Sequence, residues 1–146
     1  NEITQIKLIK YYKITVVIFL IYDIFKYKKF WSYYKMEISA KELENNTVVI
    51  ELFGDIDIYS SSDLKDAMIS QIDFGAKRII IDMEEVHYID SSGIGVFISV
   101  LGTFKKVNGK IGLVKITEPV KKVLELTKLT SFLPIYNTEA EAIEKL

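Results

Sequence analysis

From residue 36 onward the apolar positions switch between two periods. Residues 36–43 and 47–53 read as strands around Glu44-Asn45-Asn46, a turn sequence suited to a hairpin, and Val48, Ile50 and Leu52 share one face. Gly54-Asp55-Ile56-Asp57 breaks that pattern. Ser60 to Asp63 then supplies helix-capping residues, and Leu64, Ala67, Met68 and Ile72 recur at helical spacing up to Gly75. Residues 77–83 (KRIIIDM) carry the continuous apolar run of a central strand buried on both faces. Ile94, Phe97, Ile98 and Leu101 predict a helix over 92–107 with those four side chains inward, closed by Asn108-Gly109.

The alternation continues to the end of the chain. Residues 110–116 (KIGLVKI) predict a strand, and Pro119 opens a helix in which Val120, Val123, Leu124 and Thr127 share a face. Residues 131–137 predict a short edge strand around Pro134. Thr138 and Glu141 predict a capping box for a last helix containing Ala142, Ile143 and Leu146. A hairpin followed by β-α-β-α-β-α alternation predicts one α/β domain, a mixed β-sheet packed by helices.

Composition changes this picture at the N-terminus. The 146-residue chain is 49% apolar and 27% charged, with a net charge of −1. Residues 1–35 hold seven Lys against Glu2 and Asp23, net +5, whereas residues 36–146 hold 11 Lys and one Arg against 18 acids, net −6. The basic segment is rich in Ile, Lys and Tyr, and its longest uncharged run is 14–22. Nine helical residues reach about 14 Å, too short for a hydrocarbon core of about 30 Å, so no stable membrane span is expected. A surface-lying amphipathic helix fits the pattern, and so does translated upstream sequence of an AT-rich genome, because the first Met is Met36. The expected organisation is therefore an extension over 1–35 and a domain over 36–146.

The same arithmetic excludes several chemistries. Without cysteine there is no disulfide, thiolate metal site or thiol nucleophile, and a single His argues against His-built metal centres. No basic excess points to nucleic acid. No Walker or dinucleotide-binding glycine pattern is present, so no nucleotide cofactor is expected.

One stretch carries candidate chemistry: Val86-His87-Tyr88-Ile89-Asp90-Ser91-Ser92-Gly93-Ile94-Gly95. It follows a buried strand and opens a helix, where open α/β sheets expose functional groups. Ser91 and Ser92 fall near the helix start, where free N–H groups and the helix dipole favour an anion. Gly93 and Gly95 are expected to keep bulk away from the first turn, so that hydroxyl and backbone are open to approach. The plainest reading is a capped helix with tight glycine packing. A serine hydrolase lacks its G-x-S-x-G turn, and His87, four residues upstream, reads as structural. A phosphorylation switch fits the residue types: phosphate adds about −1.5 to −2 charges, which the helix start tolerates and which Asp57 and Asp90 make more repulsive to a docked partner.

These residues resemble those of the STAS domain of anti-sigma factor antagonists. The resemblance rests on Ile79-Ile80-Ile81-Asp82-Met83 with the 86–95 stretch, on Gly54-Asp55-Ile56-Asp57 with Ser62-Asp63-Leu64-Lys65, and on a third block. That block comprises Ile116, Pro119, Val120, Val123, Leu124, Leu126, Thr127 and Leu129, followed by Phe132 and Ile135 in the last strand. It covers residues 36–146 and leaves 1–35 without a counterpart. The resemblance implies a cytoplasmic binding switch, not an enzyme, needing no metal or cofactor. Its unphosphorylated form would bind an anti-sigma factor that is also a serine kinase and so release a sigma factor. It implies phosphorylation on Ser91, with Ser92 as the alternative acceptor, reset by a PP2C-type phosphatase. The expected partner-binding residues are Asp57, Asp90, Ser91, Ser92, Gly93 and Ile94. The same domain type also serves other phospho-signalling cascades, nucleotide-responsive modules and transporters, and these remain alternatives at the level of sequence.

Overall fold

The computed structural model describes residues 2, 17, 18, 20, 21 and 35–146. The chain divides into two compact units, Asn1–Lys35 and Met36–Leu146. In the first, Val17, Ile18, Leu20 and Ile21 are helical and exposed; the readings of residues 1–35 otherwise lie outside the described residues. Among the described residues no helix is long and apolar enough to cross a membrane.

The second unit is a five-stranded mixed sheet with four helices. In chain order it comprises β1 (Glu37–Leu43), β2 (Thr47–Phe53), α1 (Ser61–Asp73), β3 (Arg78–Glu85), α2 (Ser91–Lys106), β4 (Lys110–Val114), α3 (Glu118–Leu126), β5 (Ile135–Tyr136) and α4 (Glu139–Lys145). The spatial strand order is the chain order, β1 antiparallel to β2 and every later pair parallel. The hairpin turns on Asn45 and Asn46, both at positive φ (57° and 55°), the backbone that a two-residue primed turn requires and that Asn tolerates.

Parallel neighbours in chain order force every crossover the same way round, so the crossover helices share one face. On that face Ile50, Ile79, Ile81 and Leu113 meet Leu64 and Met68 of α1, Phe97 and Phe104 of α2, and Val120 and Leu124 of α3. The opposite face is thinner: Val49, Ile80 and Val114 are covered by Ala142 of α4 and by Leu146. The three central strands are buried on both sides, which is why β3 reads as an unbroken apolar run.

Four expectations need correction. The strand expected over 131–137 is only Ile135–Tyr136, because Leu129–Ser131 form a 3-10 turn entered through Lys128 at φ 59°. Ile98, expected in the core, is 57% exposed: α2 is apolar on most sides, and the sheet selects the Val96, Phe97, Val100 and Phe104 stripe. Thr127, expected on the face shared by Val120, Val123 and Leu124, lies exposed just past the end of α3. In the last helix the Thr138 side chain caps the Glu141 N–H as expected, but the Glu141 carboxylate accepts from Asn137 rather than returning to Thr138.

Candidate functional site

The strand ends place two loops side by side. After β2, Gly54 at φ 117° turns the chain, and its N–H donates to the Glu85 carbonyl at 3.2 Å. Residues 56 and 89 then form a parallel bridge: the Ile56 N–H donates to the Tyr88 carbonyl and the Asp90 N–H to the Ile56 carbonyl, both at 3.0 Å. Ile56 and Ile89 are buried and anchor the loops from below. Further ties fix the loop before α2. The Thr117 hydroxyl donates to the Val86 carbonyl at 2.6 Å, and the His87 N–H donates to the Asp55 carboxylate at 3.1 Å.

Asp57 closes its own turn. Its carboxylate accepts from the N–H groups of Tyr59 (2.9 Å) and Ser60 (3.1 Å). The Ser60 hydroxyl, buried beneath that turn, donates to the Asp55 carbonyl at 2.8 Å and accepts from the Asp57 N–H at 2.9 Å. Ser60 is thus the first cap of α1 by position, but its side chain serves the loop and makes no cap hydrogen bond.

At the start of α2 the cap is Asp90, one of the two candidates, with Ser91, that the sequence offers. Its backbone is extended, and one carboxylate oxygen accepts from the Ser92 N–H (2.8 Å), the Gly93 N–H (3.2 Å) and the Ser92 hydroxyl. The Ser92 hydroxyl above all, helped by the N–H groups of Gly93, Ser92 and Ile58, holds the Asp90 carboxyl below its ordinary range against the opposing effect of burial. Ser91 is the first residue of the helix and is exposed. Its hydroxyl has no hydrogen-bond partner among the described residues. The two serines therefore differ: one hydroxyl is held by a carboxylate and the other is free.

Gly93 has a different role from the one its sequence position suggested. It is buried, and a Cβ there would stand 2.5 Å from Ile56 and 2.7 Å from Ile89. It lets α2 sit down on the bridged loops and does not open the surface to approach. Gly95, with nothing within 4 Å of a Cβ, is the exposed one. Ile94 is half-buried at the edge of the site.

The sequence reading missed an apolar rim. Ile58 is 70% exposed, Tyr59 74% and Tyr88 54%, and all three belong to the two bridged loops. The available signal was their setting: large apolar residues between turn-forming acids have no core to enter. No group of His, Asp and Glu among the described residues is placed to hold a metal ion.

A mixed sheet with helices on its faces, paired loops at its strand ends and a free serine hydroxyl on a helix start define a small α/β binding domain. The STAS domain family model matches residues 37–142, and the chain belongs to that family. It is 31% identical over 109 residues to the anti-sigma-B factor antagonist of Listeria monocytogenes, covering 73% of this chain and 95% of the relative. The anti-sigma-B factor antagonist of Bacillus subtilis is 28% identical over 68% of this chain and 90% of its own. Among solved structures, the anti-sigma factor antagonist SpoIIAA in its unphosphorylated form matches with TM-score 0.66 and 28% identity, over 75% of this chain and 95% of that one.

Proposed function

We propose that this chain is an anti-sigma factor antagonist and that Ser91 is its switch. The observation that carries the reading is the contrast between the two hydroxyls: Ser91 is exposed and unbonded among the described residues, whereas Ser92 donates to Asp90. In the unphosphorylated state the site docks on an anti-sigma factor that is also a serine kinase. Phosphorylation of Ser91 ends that binding, and a PP2C-type phosphatase restores it. The function is binding in the cytoplasm, not catalysis by this chain. His87 is exposed and makes no hydrogen bond to Ser91 among the described residues, so Ser91 has no base from that side chain.

The physics favours release over unfolding. A phosphate on Ser91 sits at the N-terminus of α2, where the helix dipole favours negative charge even though Asp90 already holds the Ser92 and Gly93 N–H groups, so the domain itself tolerates it. A partner that has desolvated this spot meets that charge together with Asp57 and Asp90. Asp57 and Asp90 set the field and hold the loops, and Ser92 locks Asp90. Gly93 contributes backbone placement, and Ile94 adds apolar contact beside Ile58, Tyr59 and Tyr88.

Affinity measurements on two variants test this. Ser91→Ala should bind the kinase partner as the parent does and accept no phosphate. Ser91→Asp should bind about 10²-fold more weakly, a loss of roughly 2.7 kcal/mol. Parent-like binding by both variants would remove Ser91 from the switch.

A further inference from the structure

Residues 1–35 lie outside the domain that carries Ser91, and their chemistry is unlike it. Among the described residues of this segment, Val17, Ile18, Leu20 and Ile21 are helical and 52%, 60%, 57% and 48% exposed. At about 3.6 residues per turn these four spread over an arc of about 160°. An aliphatic face of that width is what a helix turns toward an apolar phase. All four belong to the uncharged run 14–22.

The flanks of that run point to what covers it. Lys7, Lys10 and Lys13 precede it, and Lys26, Lys28 and Lys29 follow it. Seven Lys against two acids leave the segment at +5, in a chain whose remainder is −6. Six of the nine Tyr and the single Trp also fall within it, and such rings, apolar with one polar tip, settle at the level of lipid headgroups. A lysine beside an aliphatic surface lays its stem along that surface and carries its ammonium out to phosphate. Cations on both sides of an apolar run, with aromatics among them, complement an anionic bilayer surface. Single-stranded nucleic acid would suit the lysines and the rings, but Val17, Ile18, Leu20 and Ile21 have no ring to stack on a base.

We propose that residues 1–35 hold this protein reversibly on an anionic lipid surface, with the 14–22 run at the boundary of headgroups and acyl chains and the lysines on lipid phosphates. Nine residues reach about 14 Å as a helix against about 30 Å of hydrocarbon, so the run enters one leaflet and does not cross. The attachment needs neither Ser91 nor an anti-sigma partner, so it stands or falls apart from the switch.

Flotation of the full chain with phosphatidylcholine vesicles, with and without phosphatidylglycerol, tests the proposal. The chain should bind the anionic vesicles at least about tenfold more strongly than the neutral ones, and high salt should narrow that gap. Ile18→Asp combined with Leu20→Asp changes two exposed positions, so it should keep the parent's melting temperature and lose about tenfold or more on anionic vesicles. Replacing Lys7, Lys10 and Lys13 together by Gln should bring binding to the two vesicle types closer. Leu126→Asp alters a residue of the domain that is 84% exposed and should leave flotation unchanged. No flotation, equal binding to both vesicle types, or binding indifferent to Ile18→Asp with Leu20→Asp would overturn the proposal. So would retention of a homopolymeric RNA without vesicle binding. A concentration-dependent oligomer that Ile18→Asp with Leu20→Asp dissolves, with no vesicle bound, would assign the apolar face to a second copy and equally overturn it.

Discussion

Three hydrogen bonds converge on one oxygen of Asp90, two from the first turn of α2 and one from the Ser92 hydroxyl. Replacing Asp90 with Ala removes all three, and loss of a side-chain cap of this kind costs about 1 kcal/mol. The same change frees the Ser92 hydroxyl. Phosphosite mapping of kinase-treated Asp90→Ala should then find phosphate on both serines, against Ser91 alone in the parent. The titration of Asp90 has a definite sign. A carboxyl held below its ordinary range stabilises the fold fully above its unfolded-state value, and that contribution is lost as pH falls through the lowered one. Thermal melts from about pH 5 down to 2 should therefore decline less steeply in Asp90→Asn than in the parent. The identity of the cap was only half legible in the sequence. Asp90, Ser91 and Ser92 are all good capping residues, and side-chain type alone does not choose among them. The choice follows from the Ile56–Ile89 bridge, which fixes Asp90 in extended backbone one residue before the helix.

At the scale of the element, α2 and its seat separate two glycines that look alike in sequence. Gly93→Ala forces a methyl group against Ile56 and Ile89 and should destabilise the domain by about 1–3 kcal/mol in denaturant titration. Gly95→Ala meets open space and should stabilise the helix by roughly 0.5–1 kcal/mol. Central strands were readable because β2, β3 and β4 carry apolar residues on both faces, a pattern that few other elements produce. Helix orientation was harder. In α2 two overlapping apolar stripes are each compatible with a 3.6-residue period, and Ile98 belongs to the one the sheet does not bury. The segment before β5 misled for a related reason: Phe132, Leu133 and Ile135 make a strand-like cluster, yet the left-handed Lys128 has already turned the chain into a 3-10 coil. Long-range contacts decided each of these cases, and local pattern holds no record of them.

For the whole molecule, the net charge of −1 joins two unlike parts, and the acidic domain is itself polarised. Asp55, Asp57, Glu84, Glu85 and Asp90 cluster at the strand ends that carry Ser91, whereas Lys77, Arg78, Lys105, Lys106 and Lys110 lie at the opposite ends of the parallel strands. Near Ser91 one exposed cation is committed: Lys115 pairs with Asp82 and Glu84 at 3.0 Å, and both partners raise its pKa. On the proposed function these acidic strand ends are the docking face, and they steer the partner through a field that salt screens within about 8 Å at physiological ionic strength. The association rate with the anti-sigma partner should fall steeply from low to high salt, while dissociation changes little. The chain-ordered sheet has a further consequence, in time. Each strand pairs only with strands adjacent in sequence, so no pairing requires the ends of the domain to meet first. The β1–β2 hairpin offers a local template, and each later strand–helix unit adds to an edge already in place. The parallel pairs join Thr47 to Arg78 and Arg78 to Lys110, so contact order is intermediate, as in mixed α/β domains, and the domain should refold more slowly than a helical bundle, with newly emerging strands finding their partners in the order they are made.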